Sequence, residues 1–150
     1  MNEITDYELT GVSFIGDKRF FNRGWVLKDN KGYFLGSLKE NKEVYNLIGK
    51  ISGENIKFIR FPKKQSLFPS YWNLEREYDT EYIGNIFFIP YSKKQSEISY
   101  LEIENNLEKF TKGEFLEKSI INLFNRLNKT NEKIKRLPPN GITNIYLKRK

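Results

Sequence analysis

Short runs of alternating apolar and polar residues fill the first two thirds of the chain, with turn-forming residues between them. Alternation with a period of two places successive side chains on opposite faces of a strand. Residues 7–103 are therefore predicted to form an antiparallel up-and-down β meander, as a barrel or a strongly curled sheet, because closure removes exposed edges. The predicted strands are 7–15, 20–28, 33–39, 44–52, 56–61, 71–78 and 82–89, with 98–103 as a candidate eighth.

Glycine stands in the middle of three predicted strands, at Gly36, Gly49 and Gly84, each time after two apolar or aromatic residues and two positions before another apolar residue. Such a glycine costs stability unless the strand bends or meets another backbone closely, and bends help a barrel to close. Over residues 7–103 this pattern resembles the calycin superfamily of lipocalin-like barrels. The Gly-x-Trp signature of that group is absent, and Arg23-Gly24-Trp25 stands instead. The resemblance implies a ligand carried inside the barrel.

The last third of the chain has the period of an amphipathic helix, predicted within residues 107–137. Residues 111–114 fit a capping box, and Pro138-Pro139 prevents continuation. Residues 141–150 are predicted to form a short terminal strand or a basic tail. The fold class is thus mainly β (α+β), in a single domain of 150 residues with a C-terminal amphipathic helix. The apolar face of this helix carries Leu116, Ile120, Leu123, Phe124, Leu127 and Ile134, and the opposite face carries Lys118, Asn122, Asn125, Lys129, Lys133 and Arg136.

Positive charge is concentrated in this last third. Residues 109–150 carry 11 basic and 3 acidic side chains, whereas residues 1–108 carry 15 and 16. A basic stripe along a helix favours contact with phosphates or with an acidic protein. A solvated face, or a lysine-rich composition without functional meaning, would give the same pattern. The candidate binding residues are Lys118, Arg126, Lys129, Lys133, Lys135 and Arg136, with Phe68 and Tyr71 of the aromatic segment 67–72 as anchors, unless that segment plugs the barrel.

Three arginines share strand faces with apolar residues and suggest a second kind of site. Arg23 alternates with Trp25, and Arg76 alternates with Trp72, while Arg60 lies on the face of Phe58. If these faces point inward, Arg23, Arg60 and Arg76 would hold a small anionic ligand between Trp25 and Trp72. Alternatively, each arginine lies at a barrel mouth, pairs with a carboxylate, or points outward after a bulge.

Catalytic chemistry has few residues to work with, because the chain contains no cysteine and no histidine. Thiolate nucleophiles, histidine bases and the usual zinc ligands are thereby excluded. Glu75 and Glu77 share a strand face near Asp79, which fits a solvated polar face better than a cation site. We expect neither enzymatic activity nor a cofactor or metal.

The chain opens without a basic, apolar leader, and its aliphatic and aromatic runs are short, which predicts a cytoplasmic protein with no membrane partner. The leading hypothesis is a small non-enzymatic binding or regulatory protein of the accessory or inhibitor kind. Its basic helix face would engage nucleic acid, a protein that handles nucleic acid, or an acidic protein. The alternative is a calycin-like binder of a small anionic or hydrophobic ligand.

Overall fold

Eight antiparallel strands form a closed barrel in the computed structural model, which describes residues 3–112 and 118–150. Each strand pairs with the next one in chain order. The protein is therefore mainly β and up-and-down, as the alternation in the sequence predicted. The strands are β1 (Thr5–Ile15), β2 (Lys18–Lys28), β3 (Tyr33–Glu40), β4 (Glu43–Ser52), β5 (Asn55–Pro62), β6 (Ser70–Tyr78), β7 (Glu81–Phe88) and β8 (Gly141–Arg149).

The barrel is closed by the C-terminal strand. β8 lies between β7 and β1, so that Ile145 is opposite Tyr82 on one side and Leu147 is opposite Leu9 on the other. The segment 141–150, which the sequence left as a short strand or a basic tail, thus pairs on both sides. Closure satisfies the edges of β1 and β7, which an open sheet would expose.

Helices α1 (Lys93–Thr111) and α2 (Lys118–Asn131) and a short 3₁₀ turn (Ile134–Arg136) connect β7 to β8. The candidate strand at 98–103 is wrong, because these residues lie inside α1, and the helical region begins before residue 107. Ser92 caps α1 by accepting the backbone N–H of Gln95 at 3.1 Å. The apolar residues recur at helical spacing and are buried: Tyr100, Ile103, Leu107 and Phe110.

The predicted capping box falls partly outside the described residues. Gly113, Glu114 and the apolar Leu116 all lie there. The described helix α2 begins at Lys118. That capping box therefore stays a prediction.

Apolar side chains form two layers, one inside the barrel and one between the barrel wall and the helices. The outer layer brings strand residues such as Leu35, Ile48 and Ile59 against Phe110 of α1 and Phe124 of α2. The inner layer comes from strands alone and contains Leu9, Val26, Phe34, Leu38, Tyr45, Leu47, Ile56, Phe58, Trp72, Leu74, Tyr82, Ile86, Ile145 and Leu147. Strands β3, β4 and β5, which α1 contacts, are consequently apolar on both faces.

The mid-strand glycines allow neighbouring strands to approach in the barrel interior. A Cβ atom at Gly49 would collide with the Phe34 ring and the backbone oxygen of Lys57, and one at Gly84 would collide with the backbone oxygen of Asn73. These collisions explain why glycine is needed in strands that otherwise favour larger residues.

Candidate polyanion-binding site

Helix α2 has the two faces that the sequence predicted. Ile120, Leu123, Phe124 and Leu127 are buried in the outer apolar layer. The Phe124 ring meets the Tyr33 ring of β3 edge to face at 6.2 Å. Because that face is held against the barrel, the opposite face points to solvent. Its exposed residues are Lys118, Asn122, Asn125 and Lys129, followed by Lys133 and Arg136 just beyond the helix.

The sequence from Lys118 onward is poor in acidic residues. Glu132 is the only acidic residue in the sequence between Lys118 and Lys150. Its carboxylate is 3.1 Å from the ammonium group of Lys57 on β5. Within the described part of the chain, Lys118, Lys129, Lys133 and Arg136 make no ion pair with a carboxylate. We call these four residues the α2 basic face.

The other candidates for a macromolecular site do not all join this face. Arg126 is exposed but engages a neighbouring group, and the side chain of Lys135 lies outside the described residues. Phe68 is 63% exposed in the β5–β6 connection. Tyr71, in contrast, is fully buried, and its hydroxyl lies 3.2 Å from the Asn128 side-chain oxygen, to which it donates. The aromatic segment thus serves largely as packing, and Tyr71 is a structural residue beneath α2.

The three arginines proposed for a barrel ligand are separated by the structure. Arg60 points inward and is 2% exposed. Arg23 is exposed on the outer wall beside the half-buried Trp25, so an inward placement is wrong for this pair. Arg76 is also exposed, where the register of β6 shifts, and it pairs with Glu54 at 3.3 Å. The inward clamp is therefore reduced to Arg60 and Trp72.

A protein carboxylate occupies the position that a ligand anion would have taken at Arg60. The Nη1 atom of Arg60 donates to Oε2 of Glu40 at 2.6 Å, and both side chains are buried. The guanidinium also lies 3.8 Å from the Tyr45 ring centre and 5.1 Å from that of Trp72. Sequence reasoning missed Glu40, although its alternation with Leu38 could have placed it inside.

Further polar residues surround this end of the barrel interior. Asn22 donates to the hydroxyl of Ser13 at 2.8 Å, and Ser13 is hydrogen-bonded to Thr143 at 3.0 Å. Trp72 donates its indole N–H to Ser70 at 2.8 Å. Nε of Arg60 and the side-chain oxygen of Asn22 are buried without a protein partner. These two atoms retain hydrogen-bonding capacity within the buried polar layer at this end of the barrel.

Burial also raises the pKa values of tyrosines in the two apolar layers. It raises the pKa of Tyr71 well above the usual value of 10.0 for a tyrosine, with a smaller contribution from the negative charge of Glu132. Burial likewise raises the pKa of Tyr45, although the positive charge of Arg60 works in the opposite direction. Both hydroxyls therefore stay protonated in the folded protein near neutral pH.

Fold and surface together define a closed eight-stranded antiparallel barrel with a helical layer that displays a basic face. No protein-family model, curated protein or solved structure matches the chain. The described helices include none that is long and apolar enough to cross a membrane. Within residues 3–112 and 118–150, Asp and Glu side chains form no group of three that could hold a metal ion.

Proposed function

We propose that this protein is a non-enzymatic binding protein that engages a nucleic acid through the α2 basic face. The observation that carries the proposal is the solvent exposure of four cations: Lys118 and Lys129 on the unpacked side of α2, and Lys133 and Arg136 just beyond its end. Exposed cations that make no ion pair within the described residues attract a polyanion, whose counterions are released on binding.

The polar side chains beside the cations also suit contact with the phosphate backbone of a nucleic acid. Asn122 and Asn125 lie on the same exposed face of α2 as the cations. Amide side chains donate hydrogen bonds to phosphate oxygens, so they add positioning contacts without requiring a particular base. The same surface would also suit an acidic protein, and binding measurements distinguish the two partners.

The test is charge reversal in a triple variant, Lys129→Glu, Lys133→Glu and Arg136→Glu. We expect the variant to fold, since the three side chains are exposed, and to lose affinity for a mixed-sequence oligonucleotide. Binding is measured by fluorescence anisotropy over a series of salt concentrations. For the parent protein the logarithm of affinity should fall linearly with the logarithm of salt concentration, and the slope should shrink by about 2 to 3 in the variant.

A matched control reverses three exposed lysines outside α2, at Lys42, Lys63 and Lys94. This control changes net charge by the same amount, so it separates a local contact from a general electrostatic effect. Equal loss of affinity in both triple variants would contradict the proposal. Affinity for an acidic peptide that exceeds affinity for the oligonucleotide would assign the face to a protein partner instead.

A calycin-like binder is the second candidate, and the closed barrel with a buried polar layer favours it. Nε of Arg60 and the Asn22 oxygen are the protein atoms that could meet a small polar ligand there. The test is mass spectrometry of the native protein after gentle purification. A stoichiometric small anion in the parent that is absent from an Asn22→Leu variant would support this function.

A further inference from the structure

Two cations face each other on the outer wall of the barrel. Arg23 of β2 is directly opposite Lys39 of β3, and both side chains are exposed. Like charges at opposed strand positions destabilise a sheet. Neither residue makes an ion pair in the described part of the chain. Such a pair is most easily accommodated when an anion lies between the two groups.

A groove lies on each side of this cation pair, and Arg23 and Lys39 line both. The first groove has a volume of about 540 Å³ and includes Trp25 and Lys150. The second has a volume of about 590 Å³ and includes Phe21 and Tyr146. Each groove therefore combines an aromatic wall with the shared positive charge.

The aromatic walls offer rings to a ligand. Phe21 is 58% exposed and Tyr146 is 42% exposed, and the Arg19 guanidinium lies 5.2 Å from the centre of the Phe21 ring. Register places Thr10 between Arg23 and Tyr146, so these residues form one row across β2, β1 and β8. One carboxylate, that of Glu8, lines the first groove, and Glu8 is opposite Lys148 on β8.

We propose that these grooves bind a single-stranded nucleic acid, with a phosphate between Arg23 and Lys39 and a base in each groove. Aromatic rings beside a basic track are what single-strand binding requires, since every base has a face that can stack. A duplex hides its base faces within the stack. The carboxylates of an acidic peptide cannot stack on the rings of Phe21 and Tyr146. This site lies outside α2, and its test does not depend on the function proposed for α2.

The experiment measures binding of 5′-labelled pentathymidylate and pentauridylate by fluorescence anisotropy. The variant Arg23→Ala/Lys39→Ala should weaken binding by about tenfold or more, because two phosphate contacts are lost. Phe21→Ala should weaken binding by about 5- to 150-fold, the range expected for one lost base stack. The double variant should melt no lower than the parent, because it removes a like-charge pair.

The matched control Lys63→Ala/Lys94→Ala removes two exposed charges outside the grooves and should retain affinity within about twofold. Cross-linking of an oligonucleotide that carries 4-thiothymidine should label the peptide with Phe21 or the one with Tyr146. Unchanged affinity in Arg23→Ala/Lys39→Ala, or equal weakening in the control, would overturn the proposal. Competition by pentaglutamate as effective as that by unlabelled pentathymidylate would also overturn it.

The triple variant Lys129→Glu/Lys133→Glu/Arg136→Glu separates this proposal from the previous one. If pentathymidylate binding survives that reversal and is lost in Arg23→Ala/Lys39→Ala, the grooves are an independent site. The opposite result is that the triple variant abolishes binding of both the mixed-sequence oligonucleotide and pentathymidylate, while Arg23→Ala/Lys39→Ala binds both as the parent does. In that case the groove proposal fails and the proposal for the α2 basic face stands.

Discussion

Arg60 shows how a single residue can indicate a ligand in the sequence and be a structural group in the folded protein. Its guanidinium lies inside the barrel, as its alternation with Phe58 implied, yet its counterion is Glu40. Tyr45 and Trp72 add ring contacts on the same charge. Removing one partner of such a buried ion pair is strongly destabilising, because the remaining charge stays unpaired in a medium of low polarity.

At this scale we predict that Arg60→Met destabilises the protein by about 3 to 5 kcal/mol, since it leaves Glu40 buried and unpaired. Urea denaturation measures the loss. The double variant Arg60→Met/Glu40→Met should recover most of the stability, because it removes both charges. A single variant as stable as the parent that has lost a co-purifying anion would instead make Arg60 a ligand-binding residue.

Helix α2 is stabilised by packing on the barrel rather than by the helix propensity of its own residues. Its buried residues pack on strand residues of the outer layer, and Tyr71 of β6 donates to Asn128 of the helix. Helix α1 is fastened by Asn46 of β4, whose amide donates to the Tyr100 backbone oxygen at 3.0 Å and to Glu104 at 2.7 Å. A helix of 14 residues such as α2 would have only marginal stability in water if it were isolated.

We therefore predict that Leu123→Asp in α2 destabilises the whole protein by more than about 3 kcal/mol, because the carboxylate has no partner in the apolar layer. Thermal melting followed by circular dichroism measures the effect. The control is Asn125→Asp on the exposed face, which should change the melting temperature by only a few degrees. A parent-like melt for Leu123→Asp would mean that α2 does not contribute to the cooperative unit.

At the scale of the whole molecule, the two apolar layers bury hydroxyl groups of several tyrosines. Burial raises the pKa of Tyr71, Tyr45, Tyr82 and Tyr100 above the usual 10.0. The folded state thus keeps protons that the unfolded state loses above pH 10. Since the unfolded state then binds fewer protons, the free energy of unfolding must fall as the pH rises further.

The corresponding prediction is a loss of stability that begins near pH 10 and continues through the raised pKa values of the folded state. Tyr71→Phe should reduce the slope of this loss relative to the parent protein, because the variant lacks one of the hydroxyls whose pKa burial raises. Urea denaturation at a series of alkaline pH values measures both slopes. A parent protein equally stable at pH 9 and pH 11 would show that these hydroxyls ionise without unfolding.

The sequence by itself determined the repeating elements of this protein. Alternation bounded by turn residues located the strands that make up most of the barrel wall, and the helical period located the two faces of α2. These signals are local, since each depends on residues within one turn or one strand. The strand assigned to 98–103 failed because Tyr100 and Ile103 belong to a helical pattern that continues through Leu107 and Phe110. These four side chains are buried, whereas Ile98 and Leu101 are exposed.

Tertiary structure decided which face of each strand became the interior. Alternation grouped Arg23 with Trp25 and Arg60 with Phe58, but it could not say that the first pair lies outside and the second inside, because a period of two is the same on both faces. Only the tertiary structure brought Glu40 of β3 to Arg60 of β5. It also paired β8 with β1, at opposite ends of the chain, and no local pattern encodes that contact.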